Sequence, residues 1–290
     1  MIHPGFITDE LTQSYDLAAR IAVEMDARHL EVRTFDDKAP IDISIEDLRE
    51  INKINHEHGI TVQVFCSPFG KMSMPKNDAE IDAYARELAA EVARAQSVQA
   101  KFMRIFPFER DGAFDLDGAA QAYAQIFERV ELPPGLLLFE NGTISNAPSL
   151  ELLAGFLDRL KRLSPRVETM DIGLLWDPGN AYFSECPDDL SSASVRDALP
   201  LVRHVHIKDF ADGAYVSLGE GELEWSLILT LLRNAGFSGA ASLETHARVG
   251  RVLTKPLRDQ PWAQEFTDGG FVPTMQSLIA LRELLDHPGT

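Results

Sequence analysis

Eight short β-forming runs, each followed by a helical stretch, leave this chain few folds to choose from. The runs are Gly5–Thr8, His29–Arg33, Ile60–Cys66, Phe102–Phe106, Leu136–Phe139, Ile172–Trp176, Val202–Ile207 and Ala240–Leu243. β-Branched and aromatic side chains mark several of them as strands. The helical stretches are Tyr15–Met25, Ile45–His58, Ala79–Gln96, Leu116–Val130, Leu150–Leu163, Ser194–Leu199 and Ser226–Ala235, with Met275–Leu285 closing the series. Gly59 reads as the glycine that ends the second helix. Strict alternation of strand and helix favours a parallel sheet. Eight such units in 290 residues match the count and size of a single-domain α/β protein, the (β/α)8 barrel.

The strand ends carry the chemistry. Glu140, Asp177 and Glu244 each follow a strand, and His204-Val205-His206-Ile207-Lys208-Asp209 ends another. Alternate strand residues share a face, so His204, His206 and Lys208 point the same way. An open doubly wound sheet gathers its site at one switch point, whereas a barrel brings many strand ends around one axis. Carboxylates spread over strands five, six and eight therefore argue for closure. No Gly-x-Gly-x-x-Gly follows the first strand, which argues against a dinucleotide site.

The intervals from Glu140 to Asp177, on to His206 and on to Glu244 each span about one β/α unit, so each residue comes from its own strand. Three carboxylates brought close together repel unless protons or a cation intervene. With one imidazole they form a hard, oxygen-rich set suited to one divalent metal ion, Mn²⁺ or Mg²⁺ first and Co²⁺ or Zn²⁺ next. Taken singly, Asp177 and Glu140 read equally well as helix caps, and His206 as an interior histidine. It is their joint placement that selects the metal reading. His204, one layer deeper, is expected to support His206 rather than to ligate. Glu31, Arg33 and Arg104 are candidate contacts to substrate hydroxyls or carboxylates from other strand ends. His246, two residues past Glu244, is another.

A net charge of −18 disfavours nucleic acid and anionic membrane surfaces as partners. No apolar run approaches the ~20 residues that span a bilayer, the first residues lack signal-peptide character, and two cysteines point to a reducing cytoplasm. Residues 251–274, rich in Pro, Asp and Gly, are expected to form a lid or a subunit contact after the eighth strand.

Phe139-Glu140-Asn141, Trp176-Asp177-Pro178-Gly179-Asn180, His204–Asp209 and Ser242-Leu243-Glu244-Thr245 resemble the xylose isomerase-like superfamily of TIM barrels, commonly called sugar phosphate isomerase/epimerase proteins. The segments Gly219-Glu220-Gly221-Glu222-Leu223-Glu224-Trp225 and His29–Arg33 resemble its glycine-rich loop and second strand. The resemblance runs from Phe6 to His246. It implies that Glu140, Asp177, His206 and Glu244 hold the metal and that Lys208 contacts substrate. Asn180 stands where ketose 3-epimerases of the superfamily carry a histidine, and Asp212 where they carry an arginine; Asn180 is retained as a substrate-binding candidate.

The expected activity is that of an isomerase or epimerase of a small sugar, ketose or polyol-derived carbonyl compound, acting through a metal-stabilised enediolate. Glu140 and Glu244 would move the proton and Lys208 would steady the oxyanion. A dehydratase of the inosose or dehydroshikimate type shares the first step and is the alternative. A non-catalytic binding barrel is the third reading. Related barrels are often homodimers or homotetramers.

Overall fold

Strand-forming and helix-starting residues alternate as expected in the computed structural model of the chain, which describes residues 1–286. Its strands are β1 (His3–Ile7), β2 (His29–Val32), β3 (Thr61–Cys66), β4 (Phe102–Ile105), β5 (Leu137–Glu140), β6 (Gly173–Trp176), β7 (Val202–Ile207), β8 (Asp209–Ala211), β9 (Ala214–Val216) and β10 (Ala240–Leu243). All but β8 and β9 close into one parallel barrel in the order β1-β10-β7-β6-β5-β4-β3-β2. The helices are α1 (Tyr15–Glu24), α2 (Ile45–His58), α3 (Asp78–Ser97), α4 (Leu116–Phe127), α5 (Leu150–Leu163), α6 (Arg166–Thr169), α7 (Pro178–Phe183), α8 (Ala193–Ala198), α9 (Trp225–Asn234), α10 (Lys255–Arg258), α11 (Gln264–Thr267) and α12 (Phe271–Asp286). None of the described helices is long and apolar enough to cross a membrane.

The helices start where short polar side chains satisfy the first free amides. Ser14, Ser44, Asn77, Asp115, Ser149, Asp177 and Ser192 each accept a hydrogen bond from the backbone N–H of the third residue of α1, α2, α3, α4, α5, α7 and α8. Helix α5 then buries Leu150, Leu153, Phe156, Leu157 and Leu160, a spacing that puts one face on the barrel. Phe139, pointing outward from β5, lies 4.8 Å from both Phe156 and Tyr123, ring centre to ring centre.

Inside the barrel, Val64, Cys66, Phe102, Leu138 and Leu175 form a separate apolar plug. Period two does the rest. Arg104 lies two residues beyond Phe102, Glu140 two beyond Leu138, and Asp177 two beyond Leu175. Each polar residue thus inherits the inward direction of a plug residue and forms the layer above it, at the carboxyl ends of the strands.

Some boundaries differ from those expected. The first strand ends at Ile7, and Thr8–Glu10 winds into a 3-10 turn. Residues 177–180 form the start of a further helix, α7, because Pro178 fits the first helical position and Asp177 caps it. Helix α4 stops at Phe127, short of Val130, and α12 begins at Phe271 rather than Met275. The hairpin β8–β9 and the short helices α6, α10 and α11 give too little periodic pattern to be read in advance. The expected single domain ran to residue 290; its last four residues lie outside the described ones.

The glycine-rich loop is held by one carboxylate. Asp209 accepts from the amides of Gly219, Gly221 and Leu223 at 3.0, 3.2 and 3.3 Å. A side chain at Gly221 would put its Cβ 2.0 Å from Asp209 Oδ1, so the loop closes this tightly only around glycine.

Candidate active site

Four buried side chains converge at the carboxyl end of the barrel. One donor atom each from Glu140, Asp177, His206 and Glu244 falls within a group whose members all lie within 4.8 Å of one another. His206 Nδ1 sits 3.3 Å from Glu140 Oε1, 3.2 Å from Glu244 Oε2 and 3.9 Å from Asp177 Oδ2. Asp177 is held by Asn141, whose side-chain amide pairs with its backbone in both directions at 2.7 Å. Its Oδ1 accepts from the Asn180 amide and so caps α7. Its buried Oδ2 accepts no well-aligned hydrogen bond, although Lys208 Nζ stands 2.7 Å away. Asp177 therefore combines the cap and the site-facing role. An orphaned carboxylate oxygen beside two more carboxylates and an imidazole nitrogen is the donor set a hard divalent cation requires, and the residues fit one.

The two ends of His206 are treated differently. Nδ1 faces the carboxylates, while Nε2 lies 3.0 Å from Glu31 Oε2. Glu31 Oε1 in turn lies 2.5 Å from His204 Nε2, and Cys66 Sγ donates to Oε2. Glu31 is fully buried beneath the cluster. Burial opposes its charge, but His206 and His204 outweigh it and hold the carboxyl well below the usual range. Glu31 was expected to touch substrate; instead both its oxygens are taken by the imidazoles, which orients His206.

The remaining candidates ring this cluster. Lys208 Nζ lies 2.8 Å from Glu244 Oε2 and 3.1 Å from Asn180 Oδ1. Burial works against its charge, but Asp177 and Glu244 prevail, so the ammonium stays protonated. Asn180 Nδ2 donates to Glu140 Oε1 at 3.0 Å, and Arg104 Nη1 to Glu140 Oε2 at 3.1 Å. Arg33 Nη1 reaches Glu244 Oε1 at 2.5 Å, while its Nη2 meets Asp9 Oδ1 at 2.6 Å and Glu10 Oε1 at 2.7 Å. His246 Nδ1 is 2.7 Å from Glu10 Oε1. Burial raises Glu140 and Glu244, yet Arg104 and His206 keep the first, and Lys208 and His206 the second, below the ordinary carboxylate range. Asp177 goes the other way: burial lifts it to about 6, against the pull of Lys208.

Several residues here carried no role in the sequence reading. Asp9 and Glu10 are fully buried partners of Arg33. They follow the first strand as Glu140 follows the fifth, so the same rule applied to β1 would have found them. Arg248, whose Nη1 is 3.1 Å from Glu10 Oε2, had no such signal. Within 251–274, Phe266 is buried with its ring centre 5.1 Å from Arg33 Cζ and 4.5 Å from Arg248 Cζ. Thr267 Oγ1 donates to the Asp9 carbonyl at 2.7 Å. This stretch is docked over the end of β1.

A closed barrel of eight parallel strands, with its ionisable residues gathered at the carboxyl ends, defines the class as a (β/α)8 barrel. The family model described as "xylose isomerase-like TIM barrel" matches residues 19–268, and the chain belongs to that family. Among curated proteins, an inosose dehydratase of Yersinia enterocolitica is 28% identical over 88 residues, a stretch covering 24% of this chain and 30% of that enzyme. Among solved structures, D-psicose 3-epimerase of Clostridium cellulolyticum H10 superposes with a TM-score of 0.70 at 14% identity, covering 98% of this chain and 99% of that one. An IolI protein with a bound zinc atom gives 0.69 at 13% identity, with both chains covered in full. The 3-keto-D-glucoside 4-epimerase of E. coli gives 0.66 at 15%, covering 99% and 100%. At these identities the structures speak for the fold.

Proposed function

We propose that this protein is a divalent-metal-dependent isomerase or epimerase of a small sugar-like carbonyl compound. The observation that carries the reading is the convergence of Glu140, Asp177, His206 and Glu244, buried and within 4.8 Å of one another. These four would hold the metal, which when bound supplies Lewis acidity at a substrate oxygen and so acidifies the neighbouring C–H bond. An IolI protein of the same fold has a bound zinc atom, which supports the metal-dependent reading.

The chain's own residues supply the proton chemistry. Glu140 and Glu244 are kept ionised by Arg104, Lys208 and His206, so either carboxylate can accept a proton from carbon. Delivery of a proton to the opposite face, by the other carboxyl group once it has taken one from solvent, inverts the centre; return of the abstracted proton to the adjacent carbon, with the hydroxyl proton passing to the former carbonyl oxygen, isomerises the sugar. Lys208, held as an ammonium, donates to the oxygen on which negative charge develops and cannot itself serve as the base. Asn180 and Arg104 hold Glu140 in position through one oxygen each.

The test is run in deuterium oxide on a panel of ketoses and inososes with Mn²⁺. Turnover with deuterium at the abstracted carbon, lost on chelation and restored by Mn²⁺, is the expected result. Product without deuterium argues for hydride shift, and metal-independent turnover removes the reading. The partial match to an inosose dehydratase favours one competing outcome, elimination of a β-hydroxyl from the same carbanion. A product lighter by one water identifies it.

Glu31 provides a second check that needs no substrate. Glu31→Gln keeps the shape but replaces one of the two imidazole acceptors by an amide N–H. Mn²⁺ affinity, read by chelator competition, is expected to fall about 10- to 100-fold, the usual effect of losing an outer-shell partner. Unchanged affinity would mean that Glu31 does not orient His206.

A further inference from the structure

One cation at the mouth of the barrel, Lys71, has no carboxylate partner among the described residues. Arg33, Arg104, Lys208 and Arg248 are each engaged by a buried carboxylate. Lys71, in the loop after β3, is exposed, and among the described residues no carboxylate lies within salt-bridge distance of its Nζ. A chain with 45 acidic residues against 27 basic ones has no shortage of candidates to pair it.

The position of Lys71 is built rather than incidental. Gly70 has φ +87°, and a Cβ there would lie 2.0 Å from the Phe106 carbonyl oxygen, so the turn admits only glycine at that point. The Phe106 amide donates to the Phe69 carbonyl at 2.9 Å, and the Lys71 amide to the Pro68 carbonyl at 2.9 Å. The loop is thereby pinned to the end of β4. Lys71 Nζ stands 4.7 Å from the centre of the Phe106 ring, and Arg104 Cζ stands 4.8 Å from the same ring. Although solvent reaches it, the surrounding walls and then the Arg104 charge lower its pKa to about 8, and Glu140, Glu244 and Arg33 act on it as well. Arg104, over the same ring, donates to Glu140, so Lys71 stands at the mouth that holds the candidate catalytic carboxylates.

Resting on the isomerase or epimerase reading, we infer that Lys71 selects substrates carrying a terminal anionic group, a carboxylate or a phosphate. The neutral hydroxyls of an ordinary ketose leave an ammonium without a counter-charge, whereas an anionic terminus gives it a charge-assisted hydrogen bond. Such a bond is worth about a tenfold gain in affinity.

The test measures equilibrium binding of D-fructose, D-fructose 6-phosphate and D-fructuronate to the Mn²⁺-loaded protein by calorimetry, for wild type and Lys71→Met. At least one anionic sugar is expected to bind about tenfold more tightly than D-fructose, and which one does so separates phosphate from carboxylate. Lys71→Met is expected to abolish that preference while leaving D-fructose affinity unchanged, and raised salt to weaken it in the wild type alone. Equal binding of all three, binding of none, or a uniform loss in the variant overturns the inference. Because binding is read without turnover, a Lys71-dependent preference in a protein that processes no sugar leaves this inference standing and removes the enzymatic reading instead.

Discussion

Arg33→Met is expected to destabilise the fold by about 3–5 kcal/mol, the usual result of removing one partner from a buried ion cluster. Arg33 is only 7% exposed and lies between Asp9 and Glu10, both fully buried, and Glu244. Methionine fills much of the same volume but leaves these carboxylates without their shared cation. The sign of the pH dependence follows from Asp9, whose pKa burial already raises even against the pull of Arg33. An acid with a raised folded-state pKa costs stability as pH climbs past its unfolded value. Without Arg33 the rise is larger, so the deficit should be smallest near pH 5 and grow toward pH 8. Urea denaturation in the presence of a chelator measures this free of metal linkage. A deficit under about 1 kcal/mol, or one that shrinks as pH rises, would show that the cluster is not an electrostatic unit.

Glu140→Gln is the second large effect. The amide matches the carboxylate in size but cannot take a proton from carbon, and it sets an N–H against either Arg104 or Asn180, both of which donate to Glu140 in the native site. A fall in kcat/KM of about 10³ is expected, within the range for loss of a positioned acid–base group. It should be measured on whichever sugar the wild-type protein turns over. The circular dichroism spectrum should be retained, because the barrel plug of Val64, Cys66, Phe102, Leu138 and Leu175 lies below and is untouched. Activity within tenfold of wild type would remove Glu140 from the proton transfer and leave Glu244 as the base.

Neither effect is a property of isolated residues. Arg33 and Glu244 are 211 positions apart, and Glu31 and His206 are 175 apart. They meet because a parallel barrel ends all its strands on the same rim. Glu140 and Asp177 each look in sequence like a carboxylate about to cap a helix, and Asp177 is one. Direction resolves the ambiguity: both share the inward parity of Leu138 and Leu175.

The strand–helix rhythm, the barrel and the four converging residues were legible in the chain because each depends on local pattern. Period two orients a strand residue, and spacing of one unit per carboxylate assigns each to its own strand. Glu31 was picked out correctly as a strand-end residue, but its depth was not readable. Whether a side chain ends above or below the rim depends on the stagger of neighbouring strands, such as the register shift between Leu30 and Glu31 where β2 meets β3. The pairing of Arg33 with Asp9 and Glu10, the docking of Phe266 over β1 and the lack of a carboxylate partner for Lys71 among the described residues likewise arise only from closure of the barrel and the placement of its loops. Local sequence determines which residues point inward; long-range packing alone decides which partner each one finds there.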